Sequence, residues 1–169
     1  MVRVADISVR PARPGDGAGL ACVWLDAGRY YASLNPDVFH VPDEEGLSEH
    51  FERVLASCRP DVHHVVAEAE GRVVGSAVGR LEPPLDSARH QLHRHLAHCR
   101  LIIDAVVVSE GFRGRGVGTR LMNAIEEWGR RHGATLVLLD SYPESALSLP
   151  FFEERAGYRR RSVRLFKRL

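Results

Sequence analysis

The chain has 169 residues, 44% hydrophobic and 27% charged, the usage of one soluble globular domain that needs no disulfide or metal staple. With 23 basic and 22 acidic residues the net charge is +1, which argues against a nucleic-acid or acidic partner held by a global cationic field. Lys167 is the only lysine, so cationic chemistry here belongs to arginine, a planar and bidentate binder of anions. The start has no secretory pattern, and no apolar run approaches the ~20 residues of a membrane-spanning helix. Cys22, Cys58 and Cys99 are odd in number and lack metal-type spacing. They read as mostly buried thiols, and a reducing, cytoplasmic compartment is expected.

Val4 to Arg10 alternates apolar and polar residues and predicts a first strand, with Asp16 as N-cap of the following helix. Leu20, Val23, Trp24, Ala27 and Tyr31 recur at helical spacing until Pro36. Asp43 is then placed to cap a second helix with Leu47, Phe51, Val54 and Leu55 on one face. Val62–Ala69 and Arg72–Leu81 read as a hairpin turning at Glu70-Gly71. The segment Ser87 to Cys99 carries His90, His93, His95 and His98. On a helix, Leu92, Leu96 and Cys99 would form its apolar stripe and three of the histidines would point away, so a solvated or subunit-facing insertion is expected, with no metal.

Leu101–Val108 is a β-branched strand. A helix follows with Val117, Leu121, Ile125 and Trp128 on one face, stopped at Gly133. Leu136–Leu139 predicts another strand, Phe151–Arg155 a short helix, and Tyr158–Phe166 one or two closing strands. The expected order is βααββ, an insertion, then βαβαβ. It describes one α/β domain over residues 1–169 whose mixed central sheet has helices on both faces.

Between that strand and helix, Gly114, Gly116 and Gly118 alternate with Arg115 and Val117 where the helix opens. Backbone amides freed of side chains, a helix dipole and the flanking Arg113 and Arg115 make a pyrophosphate cradle. No Gly-Lys-Ser/Thr end exists for a P-loop, and Gly-x-Gly-x-x-Gly fails at Thr119 and again at Leu121.

Arg113-x-x-Gly116-x-Gly118 after a strand ending in Val108 closely resembles the acetyl-coenzyme A signature of the GCN5-related N-acetyltransferases (GNAT). Ile7-Ser-Val-Arg-Pro-Ala and the hairpin Glu70–Gly75 are softer matches to the same family. The resemblance implies that Arg113, Gly114, Arg115, Gly116, Val117, Gly118 and Thr119 hold the pyrophosphate, with Ser148 also on the coenzyme. Val106 and Val108 would pair their backbone with the pantetheine arm, and the Val108 amide would meet the acetyl carbonyl. It further implies acetyl-CoA as co-substrate, an amine acceptor, no metal, and a homodimer as a common assembly.

Acetyl transfer needs a deprotonated amine. Asp104 shares a face with Val106 and Val108 by simple alternation, so it is either the base or a strand-start carboxylate, solvated or paired with Arg100. The family's usual tyrosine is missing: alignment puts Phe152 or Glu153 there, and Ser145 or Ser148 stands where an asparagine is common. Tyr142 or water would then protonate the leaving thiolate. Tyr30 and Tyr31, with Asp37, Phe39 and His40 nearby, are expected to line the acceptor site, or else the tyrosines are core and the rest loop surface. Arg159, Arg160, Arg161 and Arg164 either meet a phosphate or are a solvated strand end. The implied activity is transfer of acetyl to a primary amine, with a small molecule expected rather than a protein tail. The alternatives are an acyl-CoA sensor and an assembly subunit.

Overall fold

A computed structural model describes residues 6–167. β1 (Ile7–Pro11) leads to α1 (Gly17–Leu34) and α2 (Leu47–Ala56), followed by β2 (Val62–Ala69), β3 (Arg72–Glu82) and β4 (Arg100–Val108). Then come α3 (Val117–Arg131), β5 (Leu136–Leu139) and α4 (Ser148–Pro150), which continues as one π-turn, Phe151–Arg155. The sheet order is β1-β2-β3-β4-β5, antiparallel except for the parallel β4–β5 pair. Val4 and Ala5 of the expected first strand lie outside the described residues.

Helices cover both faces of the sheet. On one, Val117, Leu121, Met122, Ile125 and Trp128 of α3 form a single core with Val65, Ala67, Val74, Leu101 and Ile103. Removing these side chains from water is the main stabilising term, at roughly 1.5–3 kcal/mol for each large one. Val66, of opposite parity on β2, is buried outside that cluster, as are Leu20 and Val23 of α1. The α3 stripe is therefore as its sequence period predicts.

Several local expectations are corrected. Asp16 sits at the α1 N-cap position, but its side chain caps nothing there. Its carboxylate instead takes both terminal nitrogens of Arg10 at 2.8 Å and the Arg13 N–H at 2.8 Å. Glu52 of α2 accepts from the Gly15 and Gly17 amides at the helix start in its place. The N-cap of α2 is the left-handed Gly46, not Asp43.

Ser87–Cys99 is not a helix but two 3-10 turns, Ala88–His90 and Arg94–Ala97. Three apolar residues cannot anchor a helix on the sheet: Leu92 is 98% exposed, and a bond from Leu85 N–H to Leu96 C=O closes the segment as a loop. Among the described residues, 158–167 form no strand, and β5 remains the sheet edge. Val163 and Leu165 have one parity and Phe166 the other, with arginines on both, so pairing would bury no coherent face. Cys22 and Cys58 are exposed and Cys99 is half-buried, so the thiols are not mostly buried. Among the described residues no helix is long and apolar enough to cross a membrane.

Arg10 holds Glu68 of β2 as well as Asp16, fastening the first turn of α1 to the sheet. The Arg10 guanidinium keeps the Asp16 carboxyl below the usual carboxylate range. Asp16→Asn should therefore lower the unfolding free energy at pH 7 by about 2 kcal/mol. The carboxylate's contribution is complete above its unfolded pKa of about 4 and is lost as pH falls through the lower folded value. Urea titrations of wild type and variant should consequently converge in acid.

Candidate functional site

The β4–β5 pairing is short. It runs only from Arg100↔Leu136 to Ile103↔Leu139, so β4 from Asp104 to Val108 has no neighbour on that side. The Ser109 amide donates to Val74 C=O on β3. By strand alternation Val106 and Val108 then direct their amides and carbonyls to the open edge. A cleft of about 330 Å³ lies along it. It is walled by Tyr30 and Tyr31 of α1, Val106–Val108 of β4, the glycine turn, and Ser148 and Phe151–Phe152 of the last helical segment.

At the mouth, Gly114 and Gly116 have φ of +73° and +79°, the left-handed region that favours glycine. Gly116 is the N-cap of α3, whose first turn carries no acidic residue. A Cβ on Gly118 would lie 3.2 Å from the Phe151 ring, so its absence lets that ring close over the helix start. The two conformational glycines and this close approach leave amides exposed at a positive helix end, a site suited to phosphate.

Arg113 lies in the cleft. Its Nε donates to Val108 C=O at 3.0 Å, and its guanidinium stands 5.2 Å from the Tyr30 ring centroid. Arg115 is exposed and rests over the Phe112 ring at 5.4 Å. Of the expected coenzyme residues, Val106, Val108, Arg113, Gly114, Gly116, Val117, Gly118, Thr119 and Ser148 line the cleft, and so do Tyr30 and Tyr31. Arg115 stands outside its lining.

The two expected catalytic residues are not brought to this cleft. The β3–β4 register shifts between Val78↔Ala105 and Gly79↔Ile103, leaving Asp104 as an extra residue on β4. The bulge reverses side-chain parity: Leu101 and Ile103 belong to the α3 core, yet Val106 and Val108 pack against that same core. Asp104 therefore does not share their face. It is exposed, paired with Arg80 Nε at 3.2 Å rather than with Arg100, and lines a separate cleft of about 410 Å³ with His64, Cys58 and Arg59. Burial lowers the His64 pKa there, and the Asp104 charge opposes that shift. Arg100 bonds Pro83 C=O and pairs with Glu82.

Tyr142 accepts a 2.7 Å bond from Asn35 Nδ2 and packs edge-on to Phe39 at 5.0 Å. A hydrogen bond to Glu144 raises its pKa. Phe152 is buried in the core, and Glu153 is paired with Arg160 away from the cleft lining.

Ser145 was visible in sequence only as a substitute for an asparagine. It is buried, contacts the Tyr30 hydroxyl at 3.1 Å, and accepts the Ser148 N–H at 3.1 Å. No sequence period foretells this contact, because it joins α1 to a loop 115 residues away. Three of the four tail arginines are engaged elsewhere: Arg160 with Glu153, Arg161 with His95 Nδ1 at 2.6 Å, Arg164 with Asp140.

The mixed sheet thus opens beside its parallel strand pair, with a glycine turn and a helix start at the opening. The Acetyltransferase (GNAT) family profile matches residues 29–158, and the chain belongs to that family. A glucosamine 6-phosphate N-acetyltransferase of Trypanosoma brucei brucei is 37% identical over 89 residues, 53% of this chain and 52% of that protein. An L-2,4-diaminobutyric acid acetyltransferase of Nocardia farcinica is 32% identical over 103 residues, 61% of this chain and 46% of that protein. The chain thus spans about half the length of these curated relatives. A solved aminoglycoside N-acetyltransferase, AAC(6')-Iy in complex with CoA, superposes with a TM-score of 0.69 at 18% identity, over 100% of this chain and 98% of that one.

Gly116→Ala isolates the backbone requirement, since a Cβ there meets nothing within 4 Å. Forcing a side-chain residue into the left-handed region should cost about 1–2 kcal/mol. The expected readout is a lower urea midpoint with an unchanged denaturant slope.

Proposed function

We propose that the protein is an N-acetyltransferase that moves an acetyl group directly from acetyl-CoA to the primary amine of a small molecule. The observation that carries this reading is the free β4 edge opening onto the glycine turn in one cleft, within a chain of the GNAT family. Acetyl-CoA would supply a thioester-activated acetyl group. The Arg113 amide closes the turn onto Glu110 C=O, so the amides from Gly114 to Thr119 would hold its pyrophosphate, with the α3 dipole and the two arginines adding positive potential. The Val106 and Val108 backbone would pair with the pantetheine arm as an added strand. The Val108 N–H, aimed at the open edge, is a donor where negative charge develops on the carbonyl oxygen.

Small amines are favoured by the relatives, whose names specify glucosamine 6-phosphate and L-2,4-diaminobutyric acid. With Asp104 on the other sheet face, deprotonation of the amine in this scheme is left to solvent.

Isothermal titration should give acetyl-CoA a Kd of tens of micromolar or tighter, about −6 kcal/mol or better. Gly116→Val, which combines a β-branched side chain with a left-handed φ, should weaken that affinity by about tenfold or more. Retained affinity in the variant would mean that the cradle is misassigned. Thiol release should rise above the no-amine rate with at least one member of a panel containing the two named amines. Binding without acceptor-dependent release would make the protein a sensor.

A further inference from the structure

We infer that Tyr30 is the general acid that protonates the departing coenzyme A thiolate, an assignment that rests on the transferase reading above. Collapse of a thioester under amine attack forms a C–N bond and breaks the C–S bond, leaving both electrons on sulfur. A positioned O–H beside that sulfur lowers the barrier. Tyr142 hydrogen-bonds Asn35 outside the cleft, Phe152 has no hydroxyl, and Glu153 is turned to Arg160. Tyr30 lines the cleft together with Val106 and Val108. Arg113 ties it to the reacting edge of β4, since one guanidinium bonds Val108 C=O and lies over the Tyr30 ring.

The Tyr30–Ser145 contact orients the phenolic proton. Ser145 is almost fully buried, and its oxygen already accepts the Ser148 N–H. A buried hydroxyl must also place its own proton, and the Tyr30 oxygen, 3.1 Å away, is the acceptor at hand. With Ser145 as donor, the Tyr30 O–H is left free to point into the cleft. The thiolate takes that proton, and the tyrosinate regains one from solvent at the cleft mouth. The amine nitrogen loses its proton to solvent, so the net change is amine plus thioester to amide plus thiol. The Arg113 cation favours the negative charge that develops on sulfur.

Tyr30→Phe keeps the ring under Arg113 and removes only the hydroxyl. The experiment compares wild type and variant by titration calorimetry with coenzyme A and with desulfo-coenzyme A at mildly alkaline pH, then by thiol-release kinetics with the best amine of the panel. The assignment expects coenzyme A to bind the variant about tenfold more weakly, as for a lost hydrogen bond to a charged group, with desulfo-coenzyme A affinity unchanged. It also expects kcat to fall about 100-fold, with the KM for acetyl-CoA within about twofold of wild type. Equal weakening of both ligands, or a kcat within about twofold of wild type, would overturn it and leave the transferase reading standing. Failure of wild type to bind acetyl-CoA would instead remove the reading beneath it.

Discussion

Everything at the site depends on where β4 stops sharing hydrogen bonds with β5. A parallel pair that continued to Val108 would satisfy the amides and carbonyls of Val106 and Val108 within the sheet, leaving no groove. The pairing ends at Ile103↔Leu139, so the outer half of β4 has no strand along one edge, where Arg113 Nε takes the Val108 carbonyl. Such an edge is a liability in most sheets and a binding surface when an extended ligand can complete it. The glycine turn lies at its far end, so one ligand can meet strand-type bonds along its arm and helix-end amides at its phosphate.

The bulge at Asp104 belongs to the same constraint. An extra residue in β4 increases local twist and reverses side-chain parity, which brings Val106 and Val108 onto the α3 side while their backbones face the gap. Alternation counted from sequence puts Asp104 beside those valines, and the bulge sends it to the opposite cleft with His64 and Arg80. A bulge is set by how two strands find register. Nothing in Leu101–Val108 read alone could locate it.

That contrast separates what was legible from what was not. The glycine turn, the α3 stripe and the β2–β3 hairpin are local patterns whose physics is complete within about fifteen residues, and each was readable in advance. Asp16 was readable as the residue at the α1 start, but its partners are Arg10, Arg13 and, through Arg10, Glu68, so its task is to join elements rather than cap one. The Ser87–Cys99 segment has a helical spacing of Leu92, Leu96 and Cys99, yet periodicity confers stability only when a surface exists to bury it. Leu92 finds none. The Tyr30–Ser145 contact, between residues distant in sequence, was beyond reach for the same reason as the bulge.

The arginine bias acquires its meaning from partners rather than from number. Arg10, Arg59, Arg80, Arg130, Arg160 and Arg164 each meet a carboxylate, which cancels their field at a distance. Arg113 and Arg115 are held differently: among the described residues no carboxylate pairs with either, and each lies over an aromatic ring, Tyr30 and Phe112 respectively. A ring face attracts a guanidinium through its quadrupole and carries no net charge, so it positions the cation without neutralising it. Two uncompensated charges therefore stand beside the exposed amides of the glycine turn, within a chain whose net charge is +1. A lysine would fit this arrangement poorly, since only a guanidinium can stand over the Tyr30 ring while its Nε bonds the Val108 carbonyl. The same contact links the cationic mouth to the Tyr30 ring, so the groups suited to the phosphate and the hydroxyl assigned to the sulfur are positioned by one side chain.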